Sequence, residues 1–249
     1  MPQSRTWDGQ SYDRISGPME ALGLEVLDRL DLCGEETVLD AGCGSGRITQ
    51  ALIERLPGGH VIALDASPSM VAAARERLPG ADVRCVDLLD LDLDEPVDAI
   101  LSTATFHWIL DHERLFARLH AALRPGGRLV AQCGGAGNID VLRGHAGSVL
   151  AREPYAAAFA GFRPPWNYAT AEDARERLLR AGFVEAECWL QPAPKEPEQP
   201  REFLSTIVLG PHYQHLPVEL REPFIDDALA QLGEPVVVDY VRLNIDATA

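Results

Sequence analysis

Between residues 38 and 133, short apolar runs alternate with segments of helical period, and this alternation constrains the fold more than any other feature. Residues 38–40, 61–64, 81–86, 97–102 and 127–133 read as strands. Around them, Met19, Leu22, Val26 and Leu30, then Ile48, Leu52 and Leu56, then Val71, Ala74 and Leu78, then Leu115, Phe116, Leu119 and Leu123 each mark one helical face. Ser67 before Pro68 reads as an N-cap, while Pro57-Gly58-Gly59, Pro79-Gly80 and Pro125-Gly126-Gly127 end helices. Strands that are apolar throughout need cover on both faces, so the pattern predicts a parallel sheet between helical layers.

After residue 133 the rhythm breaks. Residues 134–168 mix Gly, Ala, Pro and aromatics, 171–181 is a charged helix, and 183–190 alternates like an antiparallel strand exposed on one face. A proline-rich connector, 191–200, leads to a helical stretch over 201–232 and a last strand at 235–246. The expected architecture is α/β: a Rossmann-like, mostly parallel seven-stranded sheet with helices on both faces and a small inserted helical lid. Loops 40–47, 65–70, 87–90, 102–112 and 133–140 should then meet in one crevice beyond the carboxyl ends of the strands.

Charge narrows the partners. With 22 Lys+Arg against 38 Asp+Glu, the net charge of −16 opposes a polyanion, so no nucleic-acid partner is expected. No run of about 18 apolar residues exists and the first residues are polar, so neither a membrane partner nor an export signal is expected. Cys33, Cys43, Cys85, Cys133 and Cys188 are an odd number without a C-x-x-C pair, and read as reduced packing residues of a cytoplasmic protein. Nothing in the sequence sets an oligomeric state.

The segment Asp40-Ala41-Gly42-Cys43-Gly44-Ser45-Gly46 follows a buried strand and opens a helix, the context of a cofactor loop. A dinucleotide fingerprint needs G-x-G-x-x-G, whereas Arg47 stands where its last glycine belongs and the pattern is D-x-G-x-G-x-G. VLDAGCGSG resembles motif I of class I S-adenosylmethionine-dependent methyltransferases, and the resemblance continues through VIALDAS, VDL and LRPGGRLVAQ.

The resemblance implies a single methyltransferase domain over 1–249, with 35–133 the cofactor-binding core and 134–170 and 195–232 inserted acceptor or lid segments. It implies S-adenosylmethionine as cofactor, S-adenosylhomocysteine as product, and no metal. Asp65 would hold the ribose hydroxyls, to which its two acceptor oxygens are suited. Asp87 would accept from the adenine amino group with Leu88 beside the ring, or merely cap a helix. Asp40 would order the loop and the cofactor's amino end, or act only structurally. Gly42, Cys43, Gly44, Gly46, Ala66, Met70 and Ser102 complete the cofactor set, Cys43 as a small spacer. Tyr12 matches an amino-terminal aromatic that covers the cofactor in several subfamilies, with core packing as its alternative.

After the fourth strand, Ser102-Thr103-Ala104-Thr105-Phe106-His107-Trp108 lacks the Pro-Pro-aromatic element that grips a flipped base. STATFHWILDHERLFARLHAALRPGGRLVAQCGGAGN and RPPWNYAT resemble the trans-aconitate methyltransferase-like subfamily, which implies O-methylation of a small organic (poly)carboxylic acid. A hydroxyl or carbon acceptor on a small metabolite, and a cofactor-binding regulatory protein without catalysis, remain as alternatives. His107 is the candidate to accept a hydroxyl proton or to orient a carboxylate. Trp108 faces either the sheet core or the cofactor. Arg143, Arg163, Arg201, His145, Trp166, Tyr168, His212 and Tyr213 lie in the inserted segments as candidate acceptor contacts, and Arg163, beside Pro164-Pro165-Trp166, is the first choice for an arginine fork on a free carboxylate.

Overall fold

The computed structural model describes residues 17–249, so the expectation for Tyr12 lies outside the described residues. Helix α1 (Gly17–Asp28) leads into β1 (Thr37–Ala41), α2 (Arg47–Glu54), β2 (His60–Asp65), α3 (Pro68–Arg77), β3 (Asp82–Cys85), β4 (Val97–Thr103), α4 (His112–Ala122) and β5 (Leu123–Gly134). These five strands pair in parallel. The chain continues through α5 (Asp140–Leu150), α6 (Ala171–Ala181), β6 (Glu185–Pro192), α7 (Pro200–Phe203), a π turn at Leu204–Val208, α8 (Gly210–His215), α9 (Val218–Leu232) and β7 (Val241–Thr248). β7 inserts antiparallel between β5 and β6, giving a seven-stranded sheet of order β3-β2-β1-β4-β5-β7-β6.

The period of two along each strand divides its side chains between two cores. Leu39, Ile62, Leu64, Ile100 and Leu129 pack with Leu115, Phe116 and Leu119 of α4 and Leu178 of α6. Val38, Val61, Ala99, Leu101 and Val130 face the other way, onto Val26 and Leu27 of α1 and Ile48 and Leu52 of α2. Both faces are thus covered as the alternation predicts, and each such Val, Leu or Phe contributes about 1.5–3 kcal/mol by leaving water. A third core joins Leu142, Ala146 and Val149 of α5 to Phe203, Leu204, Val208 and Phe224, Ile225 of α9.

Several details differ from the sequence reading, beginning with β5, which takes in Leu123 and Pro125-Gly126-Gly127 rather than starting at 127. The paired part of the last strand is 241–248 rather than 235–246, because Val238 and Tyr240 turn their buried side toward the helical core instead of the sheet. Val238 makes only an isolated bridge, to Lys195. The helical stretch 201–232 is broken, since Pro211 and Pro217 stand where new helices begin, at positions that need no backbone N–H, while Pro223 is carried inside α9. Ser67 occupies the N-cap position but gives no side-chain cap; its hydroxyl pairs with Ser69 Oγ at 2.9 Å. All five cysteines are free, but Cys33 and Cys85 are exposed, one in the turn before β1 and one ending the edge strand β3, so they are not packing residues. Among the described residues no helix is long and apolar enough to cross a membrane.

Candidate active site

The crevice beyond the carboxyl ends of β1, β2, β4 and β5 begins at the glycine loop. Gly42, Gly44 and Gly46 all have positive φ, at 90°, 55° and 84°. Gly42 is the tightest: a Cβ there would lie 2.2 Å from Thr105 Oγ1, so neither the backbone conformation nor the space admits a side chain. Its N–H and that of Cys43 donate to Leu64 O at 2.8 and 2.9 Å, binding the loop to the end of β2. A Cβ on Gly44 would meet nothing within 4 Å, so the loop presents open backbone there. Cys43 is buried with its thiol pushed far up by desolvation, the behaviour of an unreactive spacer.

Three carboxylates flank the loop. Asp65 accepts from Gly44 N–H at 3.0 Å through Oδ2 and from Ser67 N–H at 2.8 Å through Oδ1, so it organises the crevice as well as facing it. Burial raises its pKa, and these two hydrogen bonds oppose the rise. Asp40, 1% exposed, accepts from Thr49 Oγ1 at 2.7 Å, while its buried Oδ1 has no partner among the described residues. Desolvation pushes its pKa up to about 7, with the Thr49 hydrogen bond opposing and the Asp65 charge adding. Asp87 accepts from Leu89 N–H at 2.9 Å and so caps a 3-10 turn, Leu88–Asp90, whose Leu88 is buried in the sheet core. Ala66 is exposed, and Met70, in the first turn of α3, is buried. Ser102 spends its hydroxyl on Ala41 O at 2.6 Å, tying β4 to the end of β1.

From β4 the chain turns through Ala104, which holds φ at 54° and donates to Gln132 O at 2.7 Å, into a second 3-10 turn, Phe106–Trp108. Phe106 plugs the core against Phe116, and this seats His107 at the crevice, 8% exposed. Its Nδ1 accepts from Gly134 N–H at 3.2 Å. An Nδ1 lone pair engaged in that way places the proton of the neutral ring on Nε2, making it a donor.

A cavity of about 50 Å³ opens here, lined by His107, Trp108, Trp166, Tyr168, Tyr240 and Arg242 among others. Trp166 stacks on Tyr168 with 14° between planes, and Arg143 lies over both rings. Trp108 therefore faces the cavity rather than the sheet core. An adjoining cleft of about 350 Å³ is lined by Asp140, Arg143, Gly144, Gly147, Pro164 and His212. His212 is buried against Trp166, and desolvation lowers its pKa to about 4, so it is neutral at pH 7.

The arginine in the cavity is not the expected one. Arg163 is exposed and lines neither space, and Arg201 is engaged by Glu222 and Asp226 on the surface. His145 lines neither space, and Tyr213 donates to Glu222 at 2.6 Å. Arg242, from β7 opposite Gly134, is 3% exposed, yet no carboxylate among the described residues pairs with it. Its polar contact is Nε to Gln132 Oε1 at 3.4 Å, and its guanidinium lies over Tyr240. A buried cation without a counter-ion is costly unless something anionic is bound beside it. Among the described residues no group of three His, Cys, Asp or Glu side chains could hold a metal ion.

Comparison with known proteins supports the same region. A methyltransferase-domain family matches residues 38–127, the stretch holding the glycine loop, Asp65, Asp87 and His107. A trans-aconitate 2-methyltransferase of Methylobacterium nodulans is 32% identical over 187 residues, covering 75% of this chain and 68% of that one. One from Mycobacterium tuberculosis is 38% identical over 151 residues, covering 60% and 56%. Among solved structures, Haemonchus contortus phosphoethanolamine N-methyltransferase 2 in complex with S-adenosyl-L-methionine aligns with a TM-score of 0.61 at 20% identity, over 97% of this chain and 56% of that one. The cyclopropane synthase MmaA2 of Mycobacterium tuberculosis aligns at 0.57 and 21%, over 99% and 90%. At these identities the two structures establish the shared fold.

Proposed function

Because the chain belongs to the S-adenosylmethionine-dependent methyltransferase family that includes the trans-aconitate 2-methyltransferases, we propose that it methylates a carboxylate oxygen of a small organic acid. The observation that carries this reading is Arg242, a buried cation at the crevice with no carboxylate partner among the described residues. A protein of net charge −16 must hold an anion through such a local cation, because its overall field opposes approach.

The residues around the glycine loop fit the family's cofactor. The unpartnered Oδ1 of Asp40 suits its ammonium end. Each oxygen of Asp65 has accepted one N–H and retains capacity for a ribose hydroxyl. Asp87 keeps one oxygen for the adenine amino group, with Leu88 next to it in the chain, and Ala66 and Met70 follow Asp65 in the neighbouring segment. Gly42, Gly44 and Gly46 leave the backbone open to close approach. When bound, S-adenosylmethionine supplies an electrophilic methyl group and departs as S-adenosylhomocysteine.

The chain's own task is then positioning, which contributes up to about 7–11 kcal/mol in well-oriented reactions. A carboxylic acid with a pKa of about 4 is already ionised at neutral pH, so no base is required. Arg242 fixes the anion and displaces its water, and His107, protonated on Nε2, donates rather than abstracts. Trp108, Trp166 and Tyr168 wall the acceptor, and the segments 134–170 and 195–232 close over it. A carboxylate attacking a sulfonium methyl needs no metal, and five free cysteines fit a reducing cytoplasm.

Arg242→Met tests the reading with trans-aconitate and a panel of di- and tricarboxylic acids. Acid binding should weaken by about 2–5 kcal/mol, while S-adenosylhomocysteine binding stays within about twofold of the unaltered protein, because Arg242 is not among the cofactor residues. Unchanged acid affinity contradicts it.

A further inference from the structure

On one face of the sheet, a chain of buried amides runs from Arg29, just past α1, to Arg242 in the cavity. Arg29 Nη1 donates to Asn244 Oδ1 at 2.7 Å, and its Nη2 donates to Ala131 O at 2.8 Å. The same Asn244 Oδ1 accepts from Gln132 Nε2 at 2.9 Å, and Asn244 Nδ2 donates to Gln191 Oε1 at 3.2 Å. Gln132 Oε1 then accepts from Arg242 Nε at 3.4 Å. Gln132 is 4% exposed and Asn244 1%.

Each amide has two distinguishable ends, and here one cation sets the direction of both. A guanidinium is donor-only, so Asn244 must turn its oxygen to Arg29. With that oxygen also taking the Gln132 NH₂, the carbonyl of Gln132 is left facing Arg242. Reversing either amide would set donor against donor in a buried site. Engagement of Nε has a further consequence, because it leaves the outer edge, Nη1 and Nη2, to face an acceptor carboxylate side by side.

We propose that Gln132 and Asn244, oriented by Arg29, are positioning residues that hold Arg242 with its Nη edge toward the acceptor acid. This rests on the proposed acid methylation. It adds a prediction that the function alone does not make: Asn244, which has no polar contact with Arg242, controls acid affinity through the direction of an amide.

The test uses the full chain and four variants. Gln132→Glu places a carboxylate against Arg242 and should compete with the acceptor, weakening trans-aconitate by at least about tenfold. Gln132→Met and Asn244→Leu should each weaken it by about three- to tenfold. Asn244→Asp keeps the acceptor oxygen for both Arg29 and Gln132, so it should restore affinity to within about twofold. S-adenosylhomocysteine affinity should stay within about twofold in all four, which a merely structural lesion would not allow. In parallel, exchange of the Arg242 Nε–H by nitrogen-15 NMR should quicken in Gln132→Met and Asn244→Leu and remain slow in Asn244→Asp.

Unchanged Nε–H exchange in Gln132→Met, or equal acid affinity in Gln132→Glu, overturns the relay alone. If the unaltered protein binds neither trans-aconitate nor any acid of the panel, the functional reading falls, and this proposal with it.

Discussion

Replacing Asp65 by Asn changes one atom type at the centre of the crevice. The carboxylate accepts two backbone N–H groups, from Gly44 at 3.0 Å and from Ser67 at 2.8 Å, through different oxygens. An asparagine has one acceptor oxygen, so its NH₂ must face one of these N–H groups. Loss of a hydrogen bond to a charged acceptor costs about 1.5–3 kcal/mol. Burial, which raises the Asp65 pKa, returns part of that when the charge is removed. The net loss of stability is therefore about 1–2 kcal/mol. In a chain of 249 residues that lowers Tm by roughly 2–8 °C. The amide also removes an acceptor from the ribose site and loosens the glycine loop, so S-adenosylhomocysteine affinity should fall about tenfold or more. Thermal unfolding and titration calorimetry on the same preparation measure both. An Asn variant with unchanged Tm and cofactor affinity within twofold would refute the role of Asp65 as the bridge between loop and cofactor.

Asp40 imposes a pH dependence on stability. Its carboxyl titrates near 3.8 when unfolded and about 7 when folded, so across that window the folded state holds the extra proton. Stability should fall by up to ~1.4 kcal/mol per pH unit as pH rises through the window. Asp40→Asn should flatten this slope in denaturant titrations, and a slope that persists contradicts the assignment. His107→Gln keeps a donor, so methyl transfer should drop by less than about tenfold and its rate stay flat above pH 6; a loss of about 10²–10⁴-fold would instead mark a general base. Gly42→Ala combines a φ of 90° with a 2.2 Å approach to Thr105, so it should cost about 3 kcal/mol or more and abolish cofactor binding; near-native stability would show that the loop has another conformation.

The parallel core was legible because strands buried on both faces leave a distinct signal: Leu39 and Val38 are both apolar although they enter different cores. The glycine loop and Asp65 were legible because close backbone approach and a strand-end carboxylate restrict which residues can serve. Arg242 was not. In β7, Arg242, Asn244 and Asp246 alternate with Leu243, Ile245 and Ala247, the usual pattern of a half-exposed strand. Their face is buried instead by partners from afar, such as Arg29, which is 215 positions from Asn244. Only the register that sets Arg242 opposite Gly134 identifies it as a crevice residue. Arg163 is flanked by Pro164, Pro165 and Trp166, of which Pro164 lines the cleft and Trp166 the cavity, while Arg163 itself lines neither. The break in the last strand was hidden for a similar reason, since Val236, Val238 and Tyr240 alternate as a paired strand would, while Val238 and Tyr240 serve the helical core.

The acceptor atom is the central chemical claim, and one product measurement reaches it directly. The protein is incubated with S-adenosylmethionine labelled in its methyl group and with trans-aconitate and the acid panel, and the labelled product is then treated with mild alkali. A methyl ester releases its label as volatile methanol, which is the predicted result. A labelled product that survives alkali would mean transfer to a hydroxyl or a carbon and would contradict carboxylate methylation.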